Sequence, residues 1–452
     1  MTLDQARHIY FLGIGGMGMS ALAWFFHEQG KIISGYDLNE SRVTNELIQA
    51  GIPVYFTQDP RHLEEVDWVI YTPAIPSSHL EYQEAIAKGM PVYKRAEILG
   101  LLSLTYKTLA IAGTHGKTTT SAMLTHLMRS CGVSATAFLG GISHNLGSNY
   151  VYGNSEYAIM EADEYDRSFL QLQPSKALIT ALEADHLDIY GTEEELQNAY
   201  FEFAQKTSSD QPLLIHESLM AYPWKRSCIT YGIEAGDYQA QNIRHDALAA
   251  YFDFVGEGIH LSDIHLPMPG AHNVSNLTGA LTLCHLLGLD PAGLKDAAKS
   301  FSGIYRRFDV QVHTDSFTYI DDYAHHPTEV NAAIDTVRNL FPKRKVWVLF
   351  QPHLYSRTQD HAEGFARALD KADRALLLDI YPAREEPIVG VDSGLIRQLM
   401  NNSAARCISK NEILQALSAE RSESIVLLSL GAGDIDKEIH KIKNWLEDQP
   451  LS

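Results

Sequence analysis

The chain has 452 residues, 45% of them hydrophobic and 20% charged, with a formal net charge of −20. That length exceeds one ordinary core and sets a prior of about three domains. The acidic balance argues against nucleic-acid or anionic-membrane binding, since a phosphate-tracking surface needs clustered Lys and Arg.

No apolar run approaches the roughly 18 residues of a membrane span, and the N-terminus has no basic leader. Cys131, Cys228, Cys284 and Cys407 are scattered without a CxxC pair. The expectation is a cytoplasmic protein with neither a disulfide frame nor a zinc site.

In chain order, HIYFLG reads as a strand, MSALAWFFHEQG as a helix and KIISGYD as a second strand; VDWVIYTPAI and the helix LEYQEAIAKG follow. This βαβ rhythm implies a covered parallel sheet. A second segment begins with the strand TLAIAG and the helix KTTTSAMLTHLMRSCG, then the strands EYAIME and KALITAL and the helix EEELQNAYFEFA. From about 212 to 269 the pattern turns strand-rich and predicts a small antiparallel layer, before the helix NVSNLTGALTLCHLLGL. A third segment holds the strands FTYIDDY, KVWVLFQP, ALLLDIYP and SIVLLSLG with helices between them, a further open parallel sheet. The reading is α/β throughout: a Rossmann-like domain at 1–103, a central P-loop-type ATPase domain at 104–305 and a Rossmann-like domain at 306–452.

Two glycine loops stand between a strand and a helix. Gly13-Ile14-Gly15-Gly16-Met17-Gly18 fits G-x-G-x-x-G, with Asp37 ending the next strand. Bare glycines let backbone N–H groups approach a diphosphate at the helix N-terminus, and the carboxylate can reach a ribose or base. An unliganded tight turn is the bland alternative, and the motif does not separate NAD from another nucleotide diphosphate. Gly113-Thr114-His115-Gly116-Lys117-Thr118-Thr119-Thr120 is the stronger signal, although a strict Walker A would need Gly where Ile111 stands. Lys117 can sit on β/γ-phosphate, Thr118 can ligate Mg²⁺, and the loop amides can cradle phosphate.

Glu161-Ala162-Asp163-Glu164 and Asp185-His186-Leu187-Asp188 both end strands of the same expected sheet. Both should emerge on the edge that carries the phosphate loop, where carboxylates can hold Mg²⁺ against γ-phosphate. Either could equally be solvated strand ends. His272, Asn273 and Asn276 fall in a loop at a helix start, where nucleotide contact and simple capping read alike. Arg306-Arg307, Asp321-Asp322-Tyr323-Ala324-His325-His326, Phe350–Thr358 and Gly431–Asp434 stock one edge of the third sheet with polar groups.

Together GIGGMGMS, GTHGKTTT, EADEYD, DHLDIYG, PGAHNVSN, YRRFD, DDYAHHPTEV, FQPHLYSRTQD and LDIYPAREEP span the whole chain, which resembles the Mur ligases of bacterial cell-wall synthesis, most closely the L-alanine-adding branch. The resemblance implies ligation of L-alanine to the lactyl carboxylate of UDP-N-acetylmuramate, with ATP and Mg²⁺, through an acyl phosphate. It implies that Gly113, Thr114, His115, Gly116, Lys117, Thr118 and Thr119 bind ATP, with His272, Asn273 and Asn276. It gives Mg²⁺ to Thr118, Glu161 and His186, the UDP-sugar to Gly15, Gly16, Gly18, Asp37, Arg95 and His115, and the amino acid to Tyr323, His325 and Arg357. Lys117, His186, Arg307 and Asp322 are the expected catalytic set, with Arg306 an alternative to Arg307. The branch implies a monomer or homodimer.

Two departures stand out. Several sister ligases carry a carbamylated lysine on the helix where this chain has EEELQNAYFEFA, with Phe201 near that place, and Leu354 stands where the FQPH run of the family implies a basic residue. The rival readings are a ligase that attaches a tripeptide to the same sugar and, from the first glycine loop alone, an NAD-dependent oxidoreductase.

Overall fold

The computed structural model describes residues 5–183, 187–246, 248–383, 385–418 and 424–447. The chain divides into two compact units, Met1–Ser302 and Gly303–Ser452. Among the described residues the first unit holds two sheets and the second holds one.

The first sheet is built from β1 (His8–Leu12), β2 (Ile32–Tyr36), β3 (Val54–Tyr55), β4 (Trp68–Tyr71) and β5 (Val92–Lys94). Their order is β3-β2-β1-β4-β5, all parallel. Ile9, Tyr10, Phe11 and Leu12 are all buried, as expected of a strand covered on both faces. The order reverses on either side of β1, so the loop after β1 opens at the switch point, flanked by the ends of β2 and β4.

The second sheet runs through β6 (Lys107–Ala112), β7 (Thr136–Ser143), β8 (Ser148–Val151), β9 (Tyr157–Ala162), β10 (Lys176–Ile179), β11 (Leu213–His216), β12 (Cys228–Gly232), β13 (Tyr238–Asp246), β14 (Ala249–Gly256) and β15 (Ile259–Leu266). The order is β15-β14-β13-β12-β11-β10-β6-β9-β7-β8. Strands β9 and β10 pair in parallel with β6 on its two sides, so the end of EYAIME, with Glu161, and the end of β10 flank the phosphate loop, while Asp185 and His186 lie outside the described residues. The expected antiparallel part is present at β13–β15, but it continues this sheet instead of forming a layer of its own. The join is a short parallel pairing, Tyr231↔Tyr238 and Gly232↔Gln239, and β11 and β12 belong to the parallel part.

These two sheets share a core. The helix Met17–Glu28, which starts at the first glycine loop, buries Leu22, Phe25 and Phe26. Phe25 meets Phe138 of β7 at 5.5 Å and Tyr150 of β8 at 6.3 Å between ring centroids. Buried Asn149 donates to Met17 O at 2.6 Å and to Ser20 Oγ at 2.9 Å, and Tyr150 Oη donates to Glu28 at 3.0 Å. Burial of one such aromatic side chain contributes about 1.5–3 kcal/mol, so this seam holds the first glycine loop in place.

The third sheet contains β16 (Asp309–His313), β17 (Phe317–Asp322), β18 (Lys345–Phe350), β19 (Arg374–Leu377), β20 (Arg406–Cys407) and β21 (Ile425–Leu430), in the order β16-β17-β21-β18-β19-β20. It is parallel except for β16, which pairs antiparallel with β17. The ends of β17, β21 and β18 are neighbours, which gathers the polar runs at Asp322, Gly431 and Gln351 on one edge.

Candidate active site

In the first unit the loop after β1 is folded around Asp37. The Gly15 N–H donates to Asp37 Oδ2 at 2.8 Å, and Gly13 and Ile14 N–H both donate to Tyr36 O. A Cβ at Gly15 would press on Thr44 Cγ2 and Asp37 Oδ2, so bare backbone is needed there. Arg95, at the start of the helix Arg95–Ser103, lies directly against Gly18 and reaches Asp163 Oδ2 at 3.4 Å. Gly15, Gly16, Gly18, Asp37 and Arg95 are therefore brought together.

The phosphate loop is laced to the segment after β10. Thr114 N–H donates to Ala181 O at 3.1 Å, Glu183 N–H donates to Thr114 Oγ1 at 3.2 Å, and Thr180 Oγ1 donates to the carbonyls of Ala112 and His115. His115 Nε2 lies 3.4 Å from Glu183. Gly116 has φ +80°, and a Cβ there would come within 2.5 Å of Asn276 Oδ1, so Gly116 and Asn276 are in contact across the loop. The helix Lys117–Ser130 then starts, with Thr118, Thr119 and Thr120 buried in its first turn.

Lys117 and Thr118 both face the EADE strand end. Lys117 Nζ donates to Gly113 O at 2.6 Å and to Glu164 Oε1 and Oε2 at 2.9 and 2.7 Å. Burial opposes the ammonium charge, but the carboxylates of Glu164, Asp163 and Glu161 outweigh it and hold Lys117 above its ordinary value. Thr118 Oγ1 donates to Glu161 Oε1 at 2.9 Å, and Gly140 N–H donates to Glu161 Oε2 at 2.7 Å. Hydroxyl and carboxylate form a pair of hard oxygen donors, as Mg²⁺ prefers. Among the described residues no group of three His, Cys, Asp or Glu that could hold a metal is present. His186 lies outside the described residues.

His272 is exposed in the first turn of the helix Ala271–Leu286, and Asn276 is buried in the next. Asn273 is buried and donates Nδ2 to Pro269 O at 2.7 Å, so in this structure its amide fixes the turn that opens the helix.

In the second unit the adjacent arginines part company. Arg306 is buried; its Nε meets Asp321 Oδ2 at 3.0 Å, and its Nη atoms donate to the carbonyls of Gly433 and Gly431. The Arg307 guanidinium lies 5.0 Å from the centroid of the Tyr323 ring. Asp322 accepts from Phe308 N–H at 2.7 Å and Ala324 N–H at 2.8 Å. Burial raises its carboxyl, against the nearby Arg307 charge and those two amides. Tyr323 meets His325 edge-on at 5.3 Å. Burial pushes His325 down to about 4, with Arg357 and Arg307 adding and Glu329 opposing. The imidazole is thus neutral near pH 7, and Arg307, Asp322, Tyr323, His325 and Arg357 form one electrostatic neighbourhood.

Three family models match this chain in order. The Mur ligase family catalytic domain covers residues 8–107, the Mur ligase middle domain 111–284 and the Mur ligase glutamate ligase domain 306–433. UDP-N-acetylmuramate–L-alanine ligase of Flavobacterium johnsoniae is 41% identical over 453 residues, which is 99% of this chain and 100% of that protein. The ligase of the same name from Flavobacterium psychrophilum is 42% identical over 455 residues with the same coverage. The chain belongs to the Mur ligase family. The crystal structure of UDP-N-acetylmuramate-alanine ligase MurC from Thermotoga maritima superposes with a TM-score of 0.84 at 28% identity, covering 98% of this chain and 100% of that one.

Phe201 packs edge-on against Trp224 at 5.1 Å, so the place near the sisters' modified lysine is filled by aromatic packing. Leu354 is buried at φ +69°, immediately before the helix Tyr355–Leu369 that carries Arg357. Glu385, in the run YPAREEP, accepts from Ser356 N–H at 3.0 Å and from Ser356 Oγ, and so fixes the start of that same helix. Sequence reasoning gave no role to Glu385, Gly140 or Thr180, and took Glu164 only as one of the EADE carboxylates that can hold Mg²⁺. Gly140 follows from a Gly-Gly pair at a strand, and Glu164 from the third acid of EADE; Thr180 and Glu385 carry no distinctive local signal.

Proposed function

We propose that the chain is an ATP-dependent, ADP-forming ligase that joins L-alanine to the lactyl carboxylate of UDP-N-acetylmuramate. It would give UDP-N-acetylmuramoyl-L-alanine, ADP and phosphate in cytoplasmic peptidoglycan-precursor synthesis. One observation carries the reading: Lys117, Thr118 and Glu161 converge on a phosphate loop that follows β6, between its parallel neighbours β9 and β10. Relatives of that name align end to end with the chain.

The chemistry accounts for the parts. A carboxylate is a poor electrophile at neutral pH, so one of its oxygens first attacks γ-phosphate; the acyl phosphate then accepts the amine through a tetrahedral intermediate. Charge builds on phosphoryl oxygens and then on an oxyanion, where fixed cations and amides stabilise it. Lys117 would meet the γ-phosphate and the sugar carboxylate, and Thr118, Glu161 and His186 would hold Mg²⁺. Bound there, Mg²⁺ supplies charge neutralisation at the phosphoryl oxygens. Gly113, Thr114, His115, Gly116, Thr119, His272, Asn273 and Asn276 would complete the nucleotide site, with Gly15, Gly16, Gly18, Asp37, Arg95 and His115 on the UDP-sugar.

Arg307, with Asp322, is the arginine assigned to ATP, because the donors of Arg306 are already committed to Asp321, Gly431 and Gly433. Tyr323, neutral His325 and Arg357 would take the amino acid, Arg357 pairing with its carboxylate. The segments 1–103, 104–305 and 306–452 would serve sugar, nucleotide and amino acid in turn.

Release of ADP with ATP, Mg²⁺ and UDP-N-acetylmuramate tests this against a panel of L-alanine, glycine, L-serine and the tripeptide. L-Alanine is expected to be the best acceptor, with glycine reduced by about 10–200-fold for its missing methyl. Release with the tripeptide alone would overturn the assignment.

A further inference from the structure

Lys117 cannot meet a phosphate in the arrangement seen here. An ammonium has three N–H donors, and those of Lys117 go to Gly113 O and to both carboxylate oxygens of Glu164. Neither partner is a surface group: the side chain of Glu164 is 1% exposed and that of Lys117 is 13% exposed. The backbone carbonyl of Glu164 accepts from the buried hydroxyl of Tyr190 at 2.6 Å, which fixes where the carboxylate starts from. The turn that follows is strained, with Asp166 at φ +53° and Arg167 at φ +55°, a region that non-glycine residues avoid. From the other side it is clasped by Lys94 on Asp166 at 2.8 Å and Arg95 on Asp163 at 3.4 Å.

We propose that Glu164 is a positioning residue that acts as a built-in stand-in for the γ-phosphate, parking Lys117 until the nucleotide displaces it. The proposal rests on the ligase reading above and deepens it. ATP binding is then an exchange, in which the ammonium leaves one anion for another and the loop never holds a bare buried cation. The cost falls on any ligand whose terminal phosphate needs Lys117, because apparent affinity is reduced by the fraction of molecules with the lysine released. ADP, which lacks the γ-phosphate, escapes most of that cost. Glu164 thereby narrows the gap in affinity between substrate and product nucleotide.

Calorimetric titration of the full chain with the β,γ-imido analogue of ATP and with ADP, both with Mg²⁺, tests this. Glu164→Gln should bind the analogue about tenfold tighter while ADP changes by less than about threefold. Glu164→Asp, which keeps the charge but shortens its reach, should fall between wild type and Glu164→Gln, and it serves if the glutamine variant folds poorly. In Lys117→Met/Glu164→Gln the gain over Lys117→Met should vanish. A gain that survives without the lysine would mean simple relief of charge repulsion and would overturn the proposal, as would equal changes for the two nucleotides. Lys117→Met alone serves as the reference. If it leaves analogue binding at the wild-type level, the phosphate-loop reading itself fails. If it weakens the analogue while Glu164→Gln has no selective effect, only the stand-in role fails.

Discussion

Arg306 and Arg307 are chemically identical neighbours, and only their three-dimensional partners separate them. Arg306 closes a buried pair with Asp321 and spends its remaining donors on two glycine carbonyls. Removing it leaves a buried carboxylate and two carbonyls without their donor, a loss of about 3–5 kcal/mol. Arg306→Ala should therefore unfold at clearly lower denaturant concentration. Arg307→Ala should keep its unfolding midpoint and lose ADP release by about 10²-fold or more, as expected for one charge stabiliser at a phosphoryl centre. Unfolding curves and turnover on the same preparations check both, and a reversed pattern would assign the roles the other way round. Glu164 teaches a related point: EADEYD shows an acid after a strand, but its grip on a lysine 47 positions away depends on the side-chain path.

At the scale of elements, the glycine loops succeed because backbone requirements are local. Gly116 needs φ +80°, and a Cβ would strike Asn276 as well; Gly30, at φ +74°, has nothing within 4 Å of the same position. Both alanine variants pay the left-handed backbone cost of about 1–2 kcal/mol, but only Gly116→Ala should also weaken ATP binding. Thermal unfolding alongside nucleotide titration separates the two effects, and equal ATP affinities would remove the Gly116–Asn276 contact from the nucleotide site. Local pattern also made the strand–turn–helix units legible, and with them the strands β9 and β10 on either side of β6 and the acidic end of β9. Pairing across the sheet was not legible. The strands at 213–266 look alike in periodicity, and hydrogen bonding between distant segments decides that β11 and β12 run parallel while β13–β15 turn antiparallel within one sheet. The edge strand Asp309–His313 was missed for a similar reason, since only its pairing with β17 marks it as a strand.

At the scale of the whole molecule, a chain of net charge −20 handles substrates that are themselves anionic. Bulk charge cannot attract them, so local cations must, and in the first unit Lys117 and Arg95, proposed above for ATP and the UDP-sugar, are each matched to a carboxylate of the same EADE turn. The account stands on one chemical claim: an oxygen of the sugar's carboxylate attacks the γ-phosphate before any amine arrives. UDP-N-acetylmuramate labelled with ¹⁸O in the lactyl carboxylate, turned over with ATP, Mg²⁺ and L-alanine, tests it directly. Mass analysis of the released phosphate should find one labelled oxygen per turnover. Unlabelled phosphate, with the departing label found in AMP or in water instead, would contradict the account.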